Sequence, residues 1–399
     1  MAIVPRGERL VIAITGKRNA GKSSLINALT GQEIAIVSEV AGTTTDPVAK
    51  HYELIPIGPV TFFDTAGIDD VGELGQKRIR ATRQILYRAD IAILVIGTKE
   101  INATEKKLIH EILELKIPLL IVFNKSDLYK PATESLDFIR KYNINYCTVS
   151  AATGDGIEQC KDLIKSLTPH LLIQERPLVG DLIKSGNHII LVTPIDTSAP
   201  KGRMILPQMQ VLRDLLDYNA VVTFTREMEL KIALESLKNP PDLVITDSQA
   251  IQLVAEIIPD AVLLTTFSIL FARYKGELQT LLNGARKIDE LKDGDKILIA
   301  ESCSHHVQCD DIGRFKLPNW LNQFTQKKLI YEVFAGHDFP DNLEEFALAI
   351  HCGACMINPM EMTRRIHECE RRGVPITNYG MTISKVQGLL ERVVRVFGI

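Results

Sequence analysis

The chain has no long apolar run. Its longest, roughly 261–272, is broken by Thr and Ser and falls short of the about 20 residues that a membrane-spanning helix needs. No charged-then-apolar leader precedes the strand-like residues that begin at Val11, so a cytoplasmic protein without a membrane partner is expected. A basic appendage is also missing. The net charge is −3, and from Leu171 onward 25 Lys and Arg stand against 29 Asp and Glu. That balance argues against nucleic acid, which asks for a basic face. Cysteine is sparse as well. Seven in 399 residues, in a reducing compartment, are no disulfide framework, so clustered ones read as metal ligands or reactive thiols.

What is present is ordinary for a globular protein: 46% hydrophobic and 24% charged residues, in a length that suits two or three domains. Short β-rich apolar runs alternate with helical patterns throughout, which predicts α/β architecture with mainly parallel sheets. In the first block the strands read 11–15, 60–64, 91–96, 119–124 and 146–150. A second block reads 189–192, 220–223, 243–246 and 261–264, and a third reads 296–300, 329–333, 346–350 and 375–377. The expected division is a P-loop domain at 1–170 and two smaller α/β domains, 178–265 and 266–399. The middle block carries no phosphate loop or catalytic cluster, which suits a scaffold or an oligomerisation unit with pairable edge strands.

The stretch Gly16-Lys17-Arg18-Asn19-Ala20-Gly21-Lys22-Ser23 fits G-x-x-x-x-G-K-S between an apolar strand and a helix, the context the motif requires. Its glycines let backbone N–H groups wrap phosphates and Lys22 reaches the outer phosphates. Ser23 ligates Mg²⁺, with Ser24 beside it at the helix start. Phe63-Asp64-Thr65-Ala66-Gly67 ends a later strand. There Asp64 is placed to hold Mg²⁺ through water, and the Gly67 N–H to reach the γ-phosphate. Asn124-Lys125-Ser126-Asp127 and Ser150-Ala151-Ala152 follow two more strands. Asp127 is expected to accept the two N–H donors of guanine from a buried position, which ATP would leave unpaired. Lys125 flanks the base and Ser150-Ala151 seal it from below. Four elements in this order specify a GTPase with Mg²⁺.

Within Gly42-Thr43-Thr44-Thr45-Asp46, Thr44 is the expected switch ligand of Mg²⁺, with Thr43 the second choice. Ile68 stands where Ras-like enzymes carry a water-orienting Gln. An apolar side chain cannot position water, so another group must, and Glu73 is the residue assigned that role. The hydrophobic substitution resembles the Era/MnmE-like branch of GTPases. In potassium-activated members of that branch an Asn of the phosphate loop helps hold K⁺, and Asn19 matches it. The resemblance thus implies K⁺ activation.

Cys303-Ser304-His305 follows one strand of the third block, and His351-Cys352-Gly353-Ala354-Cys355 follows another. Both groups leave C-terminal strand ends, where open α/β sheets place ligands. The spacing is C-x-H, 45 residues, then H-C-x-x-C. It suits a closed Zn²⁺ site, a three-cysteine [4Fe–4S] cluster with one open iron, or unmetallated thiols. His305, His351, Asp310 and Asp311 are candidates for a fourth ligand or for tuning groups around the ligands. Cys147, Cys160 and Cys369 read as packing residues.

A GTPase domain, a small α/β block and C-x-H…H-C-x-x-C together resemble the HydF family of [FeFe]-hydrogenase maturation GTPases. The likeness also takes in Ala199-Pro200-Lys201-Gly202-Arg203, Leu206-Pro207-Gln208 and Glu301-Ser302-Cys303-Ser304-His305-His306. It implies a homodimer formed through the middle domain. It also implies a [4Fe–4S] cluster on Cys303, Cys352 and Cys355 with a labile fourth site. The cargo it implies is a transient diiron subcluster precursor, built with two radical-SAM maturases and delivered to apo-[FeFe]-hydrogenase. A ribosome- or RNA-associated GTPase with a zinc-binding C-terminal domain is the alternative, and it lacks the basic surface it would need.

Overall fold

The computed structural model of the chain describes residues 9–31, 48–54, 58–64, 82, 84–168, 177–194, 204–302, 312–336, 339–340, 342–354 and 357–399. Contacts divide it into two units, Met1–Glu175 and Arg176–Ile399.

In the first unit six strands form one sheet in the order β2-β3-β1-β4-β5-β6. They are β1 (Leu10–Gly16), β2 (Val48–Leu54), β3 (Gly58–Asp64), β4 (Ile91–Ile96), β5 (Leu119–Phe123) and β6 (Asn145–Thr148). All neighbours are parallel except β2, which runs antiparallel to β3 at the edge. Because successive side chains leave a strand on opposite faces, the buried run of β1 supplies two cores. Ile12 and Ile14 pack with Leu25, Ile26 and Leu29 of α1 (Lys22–Thr30). Val11 and Ala13 pack with Ile109, Ile112 and Ile139 on the other face. Covered on both faces, the parallel strands read as continuous apolar runs. Their C-terminal ends, which the site uses, share one rim.

The expected strands of this unit are all present. The antiparallel β2 was not anticipated: among its described side chains Ala49, His51 and Glu53 are exposed and Leu54 is buried, so an edge strand left no apolar run to read.

The second unit holds two four-stranded parallel sheets, ordered β10-β9-β7-β8 and β12-β11-β13-β14. The first comprises β7 (His188–Val192), β8 (Val221–Thr225), β9 (Leu243–Thr246) and β10 (Leu263–Thr266). The second comprises β11 (Lys296–Glu301), β12 (Ile330–Ala335), β13 (Leu348–His351) and β14 (Ile376–Asn378). One core is common to both: Ile190, Val244 and Leu264 pack in the same cluster as Ile297, Ile350, Met381 and Val393. Helix α2 (Phe267–Lys275) leaves β10 directly, with Thr266 Oγ1 accepting from Ile269 N at 3.2 Å as its N-cap. It is apolar nearly all round because it is buried on two sides. Ile269 and Ala272 enter the common core, while Phe267, Leu270 and Phe271 pack on the far face of the first small sheet.

Among the described residues no helix is long and apolar enough to cross a membrane.

Candidate functional site

The phosphate loop is shaped by two glycines at which any side chain would be strained. Gly16 has φ +144, and a Cβ there would sit 2.4 Å from Val95 O. Gly21 has φ +90, and a Cβ would lie 2.1 Å from Asn124 Nδ2. The loop opens onto the start of α1, whose first N–H groups have no partner within the helix. Lys22 Nζ donates to Gly16 O and Lys17 O, each at 3.0 Å, so its amine lies over the loop. Ser23 Oγ donates to Asp64 Oδ2 at 2.8 Å. That contact brings a hydroxyl and a carboxylate together at the mouth of the loop, a hard-oxygen pair suited to Mg²⁺. Ser24 lies exposed beside it.

The base-side loop is tied to the phosphate loop at two points. Asn124, buried after β5, donates from Nδ2 to Ala20 O at 3.0 Å and accepts Ala151 N at 3.1 Å. Lys125 Nζ donates to Asn19 O at 2.9 Å. Both Lys125 and Asn19 are left-handed, at φ 63 and 61. For Lys125 this costs about 1–2 kcal/mol, offset by its amine contact and by Leu128 N and Tyr129 N donating to its carbonyl. Ser150 is fully buried and its Oγ accepts Thr153 N at 3.2 Å, which fixes the turn that carries Ala151. Asp127 is exposed at the lip rather than buried as expected. It is open because it follows the last buried residue of β5 by four positions, on a turn facing the rim. Thr44, Thr43, Gly67, Ile68 and Glu73 lie outside the described residues.

In the second unit, β11 and β13 are adjacent and parallel, with Ala300 opposite His351. The residues that follow them therefore emerge side by side. Ser302 donates its N–H to Cys352 Sγ at 3.1 Å, and its Oγ shares a hydrogen bond with the same sulfur at 3.1 Å. Burial alone would raise the Cys352 thiol. Ser302 and the Ala354 N–H act against that and lower it. A half-buried sulfur that already receives an N–H donor and touches a hydroxyl suits a thiolate bound to a soft metal centre. Cys303, Cys309, Cys355, His305, Asp310 and Asp311 lie outside the described residues. No group of three metal-binding side chains forms among the described ones.

His351 does not present a free nitrogen. Its Nε2 accepts from Arg365 Nη1 at 2.9 Å, so its Nδ1 carries the proton and donates to Cys352 O at 2.9 Å. Both ring nitrogens of His351, a candidate for the fourth ligand or for a tuning group, are thus engaged with protein, and the ring steadies the cysteine loop. Arg365 lies on helix α3 (Pro359–Arg371) and is itself fixed by Glu361 Oε1 at 2.8 Å and Gly336 O at 3.0 Å. The buried Cys147, Cys160 and Cys369 are packing residues, as expected. The Cys147 contact and then burial push the Cys160 thiol up, and burial pushes the Cys369 thiol up.

Two family profiles account for more than half of the chain: the hydrogen maturase F dimerization domain at residues 178–276 and the hydrogen maturase F tetramerization domain at 279–396. The chain belongs to the hydrogen maturase F family. A third profile, described as 50S ribosome-binding GTPase, matches residues 11–125 and marks the P-loop GTPase domain of the chain. Curated relatives include the tRNA modification GTPase MnmE of Legionella pneumophila strain Paris. It is 37% identical over 186 residues, covering 46% of this chain and 39% of the relative. The MnmE of Prochlorococcus marinus is 42% identical over 162 residues, covering 40% and 34%. The chain thus spans well under half the length of these relatives. Among solved structures, Era of Aquifex aeolicus bound to GDP and AlF4⁻ is 22% identical, with a TM-score of 0.35, over 54% of this chain and 92% of that one.

Three residues that sequence reading missed act on the loop around Cys352. Arg365 orients His351. Ser302, quoted only as part of a motif, donates to the sulfur. Lys275, at the end of α2, is buried, and its Nζ donates to Ala354 O at 2.9 Å and Ile357 O at 3.0 Å. No periodicity signals any of them, because each acts on a partner set by tertiary packing. A cleft of about 630 Å³ lined by Lys231, Lys238, Pro241 and Glu256 lies before the starts of β9 and β10, at the opposite strand ends from the cysteines.

Proposed function

We propose that this chain is a GTP-hydrolysing scaffold and carrier. It holds a [4Fe–4S] cluster on Cys303, Cys352 and Cys355, and it passes a diiron subcluster precursor from two radical-SAM maturases to apo-[FeFe]-hydrogenase. The observation that carries the reading is Cys352 at the end of β13. Its sulfur already receives Ser302, the residue next to Cys303, across two adjacent parallel strands. A cluster on three thiolates leaves one iron for an exchangeable ligand, which is what a carrier uses. With His351 engaged, that position falls to His305, Asp310 or the cargo itself.

In the GTPase domain, Lys22 would neutralise the outer phosphates, Ser23 and Thr44 would ligate Mg²⁺, and Asp64 would hold it through water. Gly67 and Glu73 would act at the γ-phosphate and the attacking water. Asp127, at the open lip, would take the guanine N–H donors and be buried by the base itself. Asn19, already left-handed with its carbonyl fixed by Lys125, would present its side chain to K⁺. The homodimer would form at β8, an edge strand that leaves Val221 54% and Phe224 39% exposed, with Met228 and Ile232 exposed nearby.

Iron, acid-labile sulfide and zinc are to be measured on anaerobically purified protein, with EPR after dithionite reduction and GTP turnover in K⁺ and Na⁺ buffers. The expected result is about four irons and four sulfides per chain, with a reduced-cluster signal absent from Cys352→Ala. Turnover should be several-fold faster in K⁺. One zinc and no iron after reconstitution would remove the carrier role and leave the GTPase. Equal turnover in the two salts would remove the role of Asn19.

A further inference from the structure

The loop that carries Cys352-Gly353-Ala354-Cys355 is held from outside its own sheet. Ala354 is buried and left-handed at φ +55, a conformation an L side chain resists. Its carbonyl, and that of Ile357 beyond Cys355, both accept from Lys275 Nζ. Lys275 is 3% exposed, and its ammonium also lies 5.7 Å from the ring centroid of Phe271. A cation this buried persists only where acceptors replace its water, and those acceptors bracket a cysteine. A second contact ties the same helix to the same rim: Asn378, ending β14, donates from Nδ2 to Ser268 O at 3.0 Å. Lys275 and Ser268 both fall within 178–276, the stretch matched by the dimerization profile, whereas Cys352 falls within the tetramerization profile.

We propose that Lys275 is the positioning residue of the C-x-x-C loop: an ammonium supplied by the dimerization stretch that fixes the two carbonyls on either side of Cys355 and so sets the thiolates for their metal. The effect on the metal rests on the cluster reading above; the effect on the loop does not. The lysine contributes twice. Its hydrogen bonds hold Ala354 in a conformation that the backbone would otherwise leave, and its charge favours thiolate ligands and the more negative, reduced state of a cluster beside it.

The test compares wild type with Lys275→Met and with Lys275→Gln, which keeps donors on a shorter, neutral stem. In metal-free protein, amide hydrogen exchange over 353–357 should rise at least tenfold in the Met variant and at least threefold in the Gln variant. After anaerobic reconstitution, a chelator should extract iron at least tenfold faster from the Met variant, the reduced EPR spectrum should change, and the midpoint potential should move to a more negative value. Ala354→Gly, which accepts the left-handed backbone freely, should recover part of the exchange protection in the Met background. If Met fails to fold, Gln alone decides. Wild-type exchange over 353–357 in a folded variant overturns the proposal. So does a wild-type EPR spectrum with wild-type extraction. Absence of iron from wild type itself would instead defeat the cluster reading, while the exchange result would still judge the brace.

Discussion

Gly21 stands at a junction of three demands: a left-handed backbone, the start of α1, and the Asn124 amide against its α-carbon. Gly21→Ala should therefore cost about 2–4 kcal/mol, the sum of a left-handed penalty and a displaced buried hydrogen bond. The expected outcome is a melting temperature several degrees lower and guanine-nucleotide affinity reduced at least tenfold. A thermal scan with a fluorescent GDP titration checks it, and an unchanged affinity would sever the link from Asn124 to the phosphate loop. Residues of this kind were legible in the sequence because the backbone itself demands them: G-x-x-x-x-G-K-S fixes its own geometry. Lys275 and Arg365 were not legible. A Lys in the last turn of a helix reads as a partner for the helix dipole, and its true acceptors lie 79 and 82 residues further along the chain. The exposure of Asp127 was not legible, because it depends on the turn that follows β5.

Among the elements, β8 has one free edge and an apolar surface, the combination that soluble proteins otherwise avoid. Its sequence VVTFT carries no gatekeeping charge. Val221→Lys with Phe224→Lys should weaken self-association at least tenfold, read as a shift toward monomer in sedimentation velocity, with iron content and GTP turnover per chain unchanged. Undiminished association would move the dimer contact elsewhere. The parallel strands were readable to within a few residues because helices cover both faces and leave uninterrupted apolar runs. The antiparallel β2 was not, since a half-exposed edge such as VAKHYEL resembles a loop until its partner strand is known. The common core of the two small sheets was equally hidden. Nothing in Ile190 or Ile350 alone says that they belong to one cluster.

At the scale of the molecule, the two units bury separate cores, so unfolding need not be all-or-none. Calorimetry should resolve two transitions. GTP with Mg²⁺ at about a hundred times its dissociation constant should stabilise only the unit that binds it, by about 2.7 kcal/mol, raising that transition by several degrees and leaving the other in place. A single transition that moves as a whole would show the units to be energetically joined.

The shared core has a consequence for inheritance. The dimerization and tetramerization stretches carry separate descriptions, yet Ile269 and Ala272 of α2 pack among residues of the last sheet, and Lys275 reaches its cysteine loop. Recombination between family members at the boundary near residue 277 would split that packing and strand a buried charge. The two stretches should therefore travel through evolution, and through any grafting in the laboratory, as a single cassette.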